Sequence, residues 1–201
     1  MLKSKPSKIL VLFIISLINK ANSESVIDCT KGCTCERAEG YYGDKKNTRL
    51  KFGCDKNTDI PEANQNIIDV IEINGNVTSI PSNLFNKSCY YQHIRALIIE
   101  FTSITNLQKN YFSCTVNLTV FSLYGNKIKN ITSIFDSMVN LDSVLFQNNE
   151  IERIENASFC KLKALTVLNL SENKITEISL DTCIPESIII LHLESNQLTS
   201  K

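Results

Sequence analysis

A repeat constrains this chain more than any other feature. Four segments align without gaps: Leu118 to Ile131 (LTVFSLYGNKIKNI), Leu141 to Ile154 (LDSVLFQNNEIERI), Leu165 to Ile178 (LTVLNLSENKITEI) and Ile188 to Lys201 (IIILHLESNQLTSK). Each reads apolar-x-x-apolar-x-apolar-x-x-Asn-x-apolar-x-x-apolar, apart from the final Lys201, and Asn126, Asn149, Asn173 and Asn196 follow one another at steps of 23, 24 and 23. Two looser copies precede them. Ile94 to Leu107 has Thr102 at the Asn position, and Ile68 to Ile80 has Asn76 with one residue missing before Val77. Copies that keep one phase in this way are not a chance run of Leu, Ile and Asn.

The spacing has a physical meaning. The alternating part of each copy has period two, so one face of a short strand is buried. The Asn sits where the chain leaves that strand, and its amide both donates and accepts. It can therefore satisfy backbone groups of neighbouring coils beyond the reach of water. Asn76, Asn126, Asn149, Asn173 and Asn196 are expected to form such a ladder, with Thr102 doing part of the job. No copy can bury its apolar face alone, so the copies must stack.

The chain begins like a secretory leader. Lys3, Lys5 and Lys8 precede the ten-residue apolar run Ile9 to Ile18, and Ala21-Asn22-Ser23 places small residues before a cut ahead of Glu24. The run is too short to cross a hydrocarbon core of about 30 Å. Overall charge is balanced at 21 basic against 21 acidic residues, but loss of residues 1–23 leaves 17 against 21. Neither balance suits a nucleic-acid binder. All eight cysteines follow the expected cut, which in a secreted chain implies disulfides. Zinc is disfavoured, because Cys33 and Cys35 have one residue between them and neither His93 nor His192 lies near paired cysteines. No metal or cofactor is expected.

These repeats resemble the leucine-rich repeat family. Cys29, Cys33, Cys35 and Cys54, followed by Ile60-Pro61 and the first copy, resemble the cysteine-rich cap that opens extracellular members such as Slit proteins, Toll-like receptors and small leucine-rich proteoglycans. Thr30 stands where the family commonly has Pro, and the 18 residues between Cys35 and Cys54 are more than usual. The resemblance implies an α/β solenoid, a horseshoe with a parallel β-sheet on its concave face and an N-terminal disulfide cap; no C-terminal cap is expected, because no cysteine cap follows the last copy. The expected layout is a leader at 1–23, a cap at 24–66 and about six repeats at 67–201, the last incomplete. The resemblance also implies the pairs Cys29–Cys35 and Cys33–Cys54; sequence alone leaves that connectivity open. Cys89 and Cys114 are 25 residues apart, and Cys160 and Cys183 are 23 apart, each about one repeat. They fit disulfides between adjacent coils or buried thiols in the place of convex-side residues such as Met138 and Leu162, with the oxidising compartment favouring disulfides.

Ligands of the family most often meet the concave face, built from the variable strand positions. Here those positions carry Asp69, Glu72, Glu100, Asp142, Glu172 and Glu194 against Arg95, an acidic face suited to a basic partner. Ile98, Phe101, Tyr124 and Leu145 are expected to form an apolar and aromatic island across three coils, flanked by Glu100, Asp142 and Gln147. Such an island within a charged rim reads as a protein-binding surface. Of six Asn-x-Ser/Thr sequons, Asn86, Asn130 and Asn156 fall in turns outside the strands and Asn117 at a strand approach, all plausible glycan sites. Asn76 is expected to point inward and stay unmodified. Asn169 belongs to the concave face, where a glycan would mask the fifth repeat.

Catalysis is not expected: the two histidines are 99 residues apart and no catalytic motif occurs. The expected role is an extracellular, secreted or cell-surface module that binds a protein, as the N-terminal part of a receptor ectodomain. The alternative is a complete short matrix protein that binds matrix components or self-associates in adhesion. The chain stops in the turn of its last copy, leaving Ile188, Leu191 and Leu193 on an open end. That implies either a fragment of a longer protein, the favoured reading, or an end covered by a partner or a second copy.

Overall fold

The computed structural model describes residues 22–30, 33–42, 45–54, 69–80, 92–179 and 183–199, with side chains described mainly from residue 69 onward. Residues 1–21 of the expected leader, Asn86 and Cys89 lie outside the described residues.

Three longer strands come first: β1 (Asn22–Thr30), β2 (Cys33–Tyr42) and β3 (Lys45–Cys54). They form an antiparallel meander, in which Cys33 and Cys54 are directly opposed and Cys35 faces Ile27. Six parallel strands continue the same sheet, one from each copy. They are β4 (Val70–Gly75), β5 (Ala96–Ile99), β6 (Val120–Ser122), β8 (Ser143–Leu145), β10 (Val167–Asn169) and β11 (Ile190–His192). The expected cap is therefore continuous with the array, since β3 pairs in parallel with β4 from Arg49↔Val70 to Cys54↔Gly75.

Register follows the repeat: Val120, Ser143, Val167 and Ile190 align across four coils, as do Phe121, Val144, Leu168 and Leu191. Below the sheet the apolar consensus positions close a continuous core, with Ile94, Leu97, Leu118, Leu123, Leu141, Leu165 and Leu170 fully buried. Stacking repeats bury what none could bury alone.

Among the described residues the convex side holds no α-helix. It consists of turns, one 3-10 helix (Lys109–Phe112) and a two-stranded ladder of β7 (Asn130–Ile131) with β9 (Arg153–Ile154). Copies of 23 or 24 residues leave too little chain after strand and ladder turn for a helix of ordinary length. A file of buried phenylalanines fills this side instead. Phe112 meets Phe121 at 5.1 Å, Phe121 meets Phe146 at 5.4 Å, and Phe135 meets Phe159 at 5.5 Å between ring centroids. The sequence expectations above do not include this file, although Phe112, Phe135 and Phe159 recur at steps of 23 and 24.

Two further devices tie convex loops together. Cys160 and Cys183 form a disulfide between adjacent coils, with Cα atoms 4.9 Å apart. Cys114 is also disulfide-bonded. The Asp136 carboxylate lies 2.7 Å from Lys109 Nζ and 2.9 Å from Lys161 Nζ, spanning three successive loops. Hydrogen bonds from these lysines hold its carboxyl below the usual aspartate value.

Candidate protein-binding face

The frame of the face is the asparagine ladder. Asn149 donates from Nδ2 to Leu123 O at 2.9 Å and Phe146 O at 3.2 Å, while its Oδ1 accepts from Ile128 N at 3.0 Å. Asn173 repeats the pattern with Phe146 O, Leu170 O and Ile151 N, and Asn196 with Leu170 O, Leu193 O and Ile175 N. Asn126 donates to Ile99 O and Leu123 O and accepts from Ile104 N and from the Thr102 hydroxyl. Each amide thus links its own strand end to the coil before it, and Thr102 supplies one bond to the ladder.

Asn76 departs from the expectation. It is exposed, because Val77 N donates to Gly75 O at 2.9 Å in a tight turn that absorbs the missing residue. Val77 O then accepts from Ser103 N at 2.8 Å, just as Ile104, Ile128, Ile151 and Ile175 accept from the coil after them. The backbone keeps the repeat in phase, and the amide is left outside.

The residue immediately before the ladder position is left-handed in every copy. φ is 92° at Gly75, 53° at Phe101, 68° at Gly125, 55° at Asn148, 55° at Glu172 and 58° at Ser195. Glycine and asparagine adopt this conformation readily, whereas a residue with a larger side chain is strained by about 1–2 kcal/mol. Phe101 is the bulkiest of them and is 61% exposed. Its ring packs edge-on to Tyr124 with centroids 4.8 Å apart. It also lies over Gly125, where an added Cβ would come within 3.0 Å of Phe101 Cδ1. Gly125 thus serves both the turn and the ring beside it.

The remainder of the expected island is divided. Ile98 is half-buried and packs with Val70, Ala96 and Val120. Leu145 and Gln147 are buried at 5% and 7%, not displayed as expected. Strands about 4.8 Å apart flank an upright mid-strand side chain on both sides, whereas a left-handed residue beyond the strand end is thrown outward. The surface available for contact is therefore Phe101 with Tyr124, at the edge of the sheet. Glu100 adjoins them and accepts a hydrogen bond from the Ser122 hydroxyl. Burial, and secondarily the Glu72 carboxylate, raise the Glu100 carboxyl above 4.5 despite that bond. Asp142 is engaged internally, accepting from Thr166 Oγ1 at 2.7 Å and Ser143 Oγ at 3.0 Å.

Asn117, Asn130 and Asn156 are exposed. Asn117 donates from Nδ2 to Gln92 O at 2.9 Å. Asn169 is buried at 6%, and its Oδ1 accepts from Ser171 N at 3.0 Å and Ser171 Oγ at 2.7 Å, so the hydroxyl of its own sequon closes the site. Among the described residues no His, Cys, Asp and Glu cluster has a metal-holding arrangement, and no helix is long and apolar enough to cross a membrane.

Comparison with known proteins accords with this geometry. Residues 139–198 match the leucine rich repeat family. Mouse podocan is 29% identical over 124 residues, 60% of this chain and 19% of podocan. Rat lumican is 33% identical over 124 residues, 61% of this chain and 34% of lumican. The chain in the crystal structure of a TLR13–ssRNA13 complex superposes with a TM-score of 0.61 at 21% identity, covering 67% of this chain and 19% of that one, a likeness of fold alone. The chain thus spans about a fifth to a third of the length of these curated relatives. Repeat spacing, parallel sheet and asparagine ladder give the described coils the fold of a leucine-rich repeat array, and residues 139–198 carry the sequence match to that family.

Proposed function

We propose that the chain binds an extracellular partner protein along the edge of its concave face, as the N-terminal part of a receptor ectodomain. The observation that carries this reading is Phe101, an aromatic ring held in a left-handed backbone conformation, exposed, and braced by Tyr124 and Gly125. Strain retained at an exposed aromatic is a mark of recognition sites, and braced aromatics make effective anchors in interfaces. Glu72 and Glu100, close enough for one carboxylate to act on the other, give the surroundings an acidic character, so the partner presents a basic surface. The role is binding without catalysis.

The test uses the full chain as bait in extracellular fluid or matrix extract, beside Phe101→Ala and Tyr124→Ala. The expected outcome is a captured protein whose affinity falls tenfold or more in each variant, and whose association slows as salt rises. Affinity unchanged in both variants defeats the reading.

A matrix role is the second reading, favoured by the likeness to podocan and lumican. The mass of the native protein after N-glycan removal separates the two, together with its partition between membranes and matrix. Self-association in adhesion is a further version of that role. A sedimentation coefficient that rises with concentration is its signature.

A further inference from the structure

We propose that Asn76 is an N-glycan acceptor, and that its glycan stands beside the exposed aromatic pair of the second and third coils. Its sequon, Asn76-Val77-Thr78, coincides with the ladder position of the first copy, which in the regular copies excludes modification. Asn126, Asn149 and Asn173 each spend their amide on backbone carbonyls and are buried at 6%, 8% and 6%. Nδ2 of such a residue cannot carry a sugar without breaking the ladder.

The first copy is different for a local reason. With one residue fewer, the chain passes from Gly75 to Val77 through the tight turn, and Asn76 occupies its tip. Gly75, at φ 92°, permits that path. The Asn76 amide is exposed and has no hydrogen-bond partner among the described residues. Its Nδ2 is therefore free to bear a substituent with no loss to the fold. Asn169 provides the contrast within the same chain: it too has a sequon, but it is buried and bonded to its own Ser171.

The reaction needs a glycan donor of the polyprenyl diphosphate class, which the secretory pathway of an extracellular glycoprotein supplies. The bond from the sugar's anomeric carbon to the diphosphate oxygen breaks, and the diphosphate leaves with the electron pair. A new bond forms from that carbon to Asn76 Nδ2, and the amide proton passes to the transferase base. The product is an uncharged, hydrated chain rooted one coil before Phe101. The backbone bond from Ser103 N to Val77 O, 2.8 Å, holds the two coils side by side at this edge. A partner using Phe101 and Tyr124 must therefore approach from the side of the later coils.

The full secreted chain, produced in a eukaryotic host, is digested with an amidase that releases N-glycans in heavy-oxygen water, and its peptides are then weighed. A glycosylated asparagine returns as heavy-labelled aspartate. The expected result is label at Asn76 and unlabelled asparagine at Asn169. Recovery of Asn76 as unmodified asparagine overturns the proposal, whether or not Asn130 and Asn156 are labelled. In parallel, Asn76→Gln is expected to be lighter by one glycan after secretion, with an unchanged melting temperature once both chains are deglycosylated. An unchanged mass, or a melting temperature lowered as for a ladder asparagine, overturns it equally. The result does not depend on any partner, so it stands or falls apart from the binding role proposed above.

Discussion

The first and fourth coils use the same residue type at the same repeat position to opposite ends. In the fourth, Asn149 is buried and joins two coils through Ile128 N, Leu123 O and Phe146 O. In the first, Asn76 is exposed at the tip of a tight turn. Both coils keep their strands in register with their neighbours, so the sheet does not reveal the difference. An asparagine becomes structural only when the turn after it is long enough to fold its amide inward. One residue of length decides between a beam of the fold and a free surface group.

The comparison breaks first, and by the largest amount, at Asn149. Asn149→Ala leaves the buried Ile128 N–H without its partner, at about 1–3 kcal/mol, and removes one of the two amide donors from each of Leu123 O and Phe146 O, at about 1 kcal/mol each, while Asn126 and Asn173 remain on those carbonyls. A loss of about 3 kcal/mol or more is expected by chemical denaturation, against less than about 0.5 kcal/mol for Asn76→Ala. Equal losses would mean that burial of the ladder amide is not what stabilises the array.

The same comparison is sharpened by a single lysine inserted between Asn76 and Val77, which restores the spacing of the later copies. The inserted chain is expected to gain about 1 kcal/mol per net hydrogen bond recovered. Because the insertion also removes the sequon, stability is the readout: Asn76→Ala is expected to cost about 1–3 kcal/mol in the inserted chain against less than about 0.5 kcal/mol in the original. An Asn76→Ala cost equally small in both chains would show that the missing residue is not what turns Asn76 outward.

A smaller effect is expected at Phe101. Phe101→Gly relieves the left-handed strain while losing the contact with Tyr124, two terms of about 1 kcal/mol each and opposite sign. Stability should change by less than about 1 kcal/mol, while affinity for the partner falls tenfold or more. A large loss of stability would instead make Phe101 part of the scaffold, like buried Phe135.

The smallest effect concerns Glu100. Its folded carboxyl binds its proton more tightly than the unfolded value of 4.5, chiefly through burial. Its contribution to stability is thus fully present below pH 4.5 and is lost as pH rises through the folded value. Glu100→Gln should flatten this limb, raising the unfolding midpoint slightly at pH 7 and not in strong acid. A curve unchanged at both ends would place Glu100 in open solvent.

Much of the fold was legible because its signals are periodic. The apolar positions, the ladder at Asn126, Asn149, Asn173 and Asn196, and the spacing of Cys160 and Cys183 all follow the coil length. The phenylalanine file carries the same period at Phe112, Phe135 and Phe159, and needed only the convex positions to be aligned as the strands were. The candidate face was less legible. Ile98, Leu145 and Gln147 occupy variable positions by their place in the repeat, yet neighbouring strands cover them to different degrees. The role of Gly125 as the bed for the Phe101 ring depends on two coils lying side by side.

Sequence alone thus determined that the chain must stack, with what period, and which residues line the core. Hydrophobic alternation and an amide able to both donate and accept act locally and repeat identically. The tertiary structure alone decided which of the remaining residues face solvent. Exposure belongs to pairs of coils, and depends on how each turn closes and what the adjacent coil places over it. That is why Phe101 emerged from the face while Leu145 was covered, and why Asn76 turned outward where Asn149 turned in.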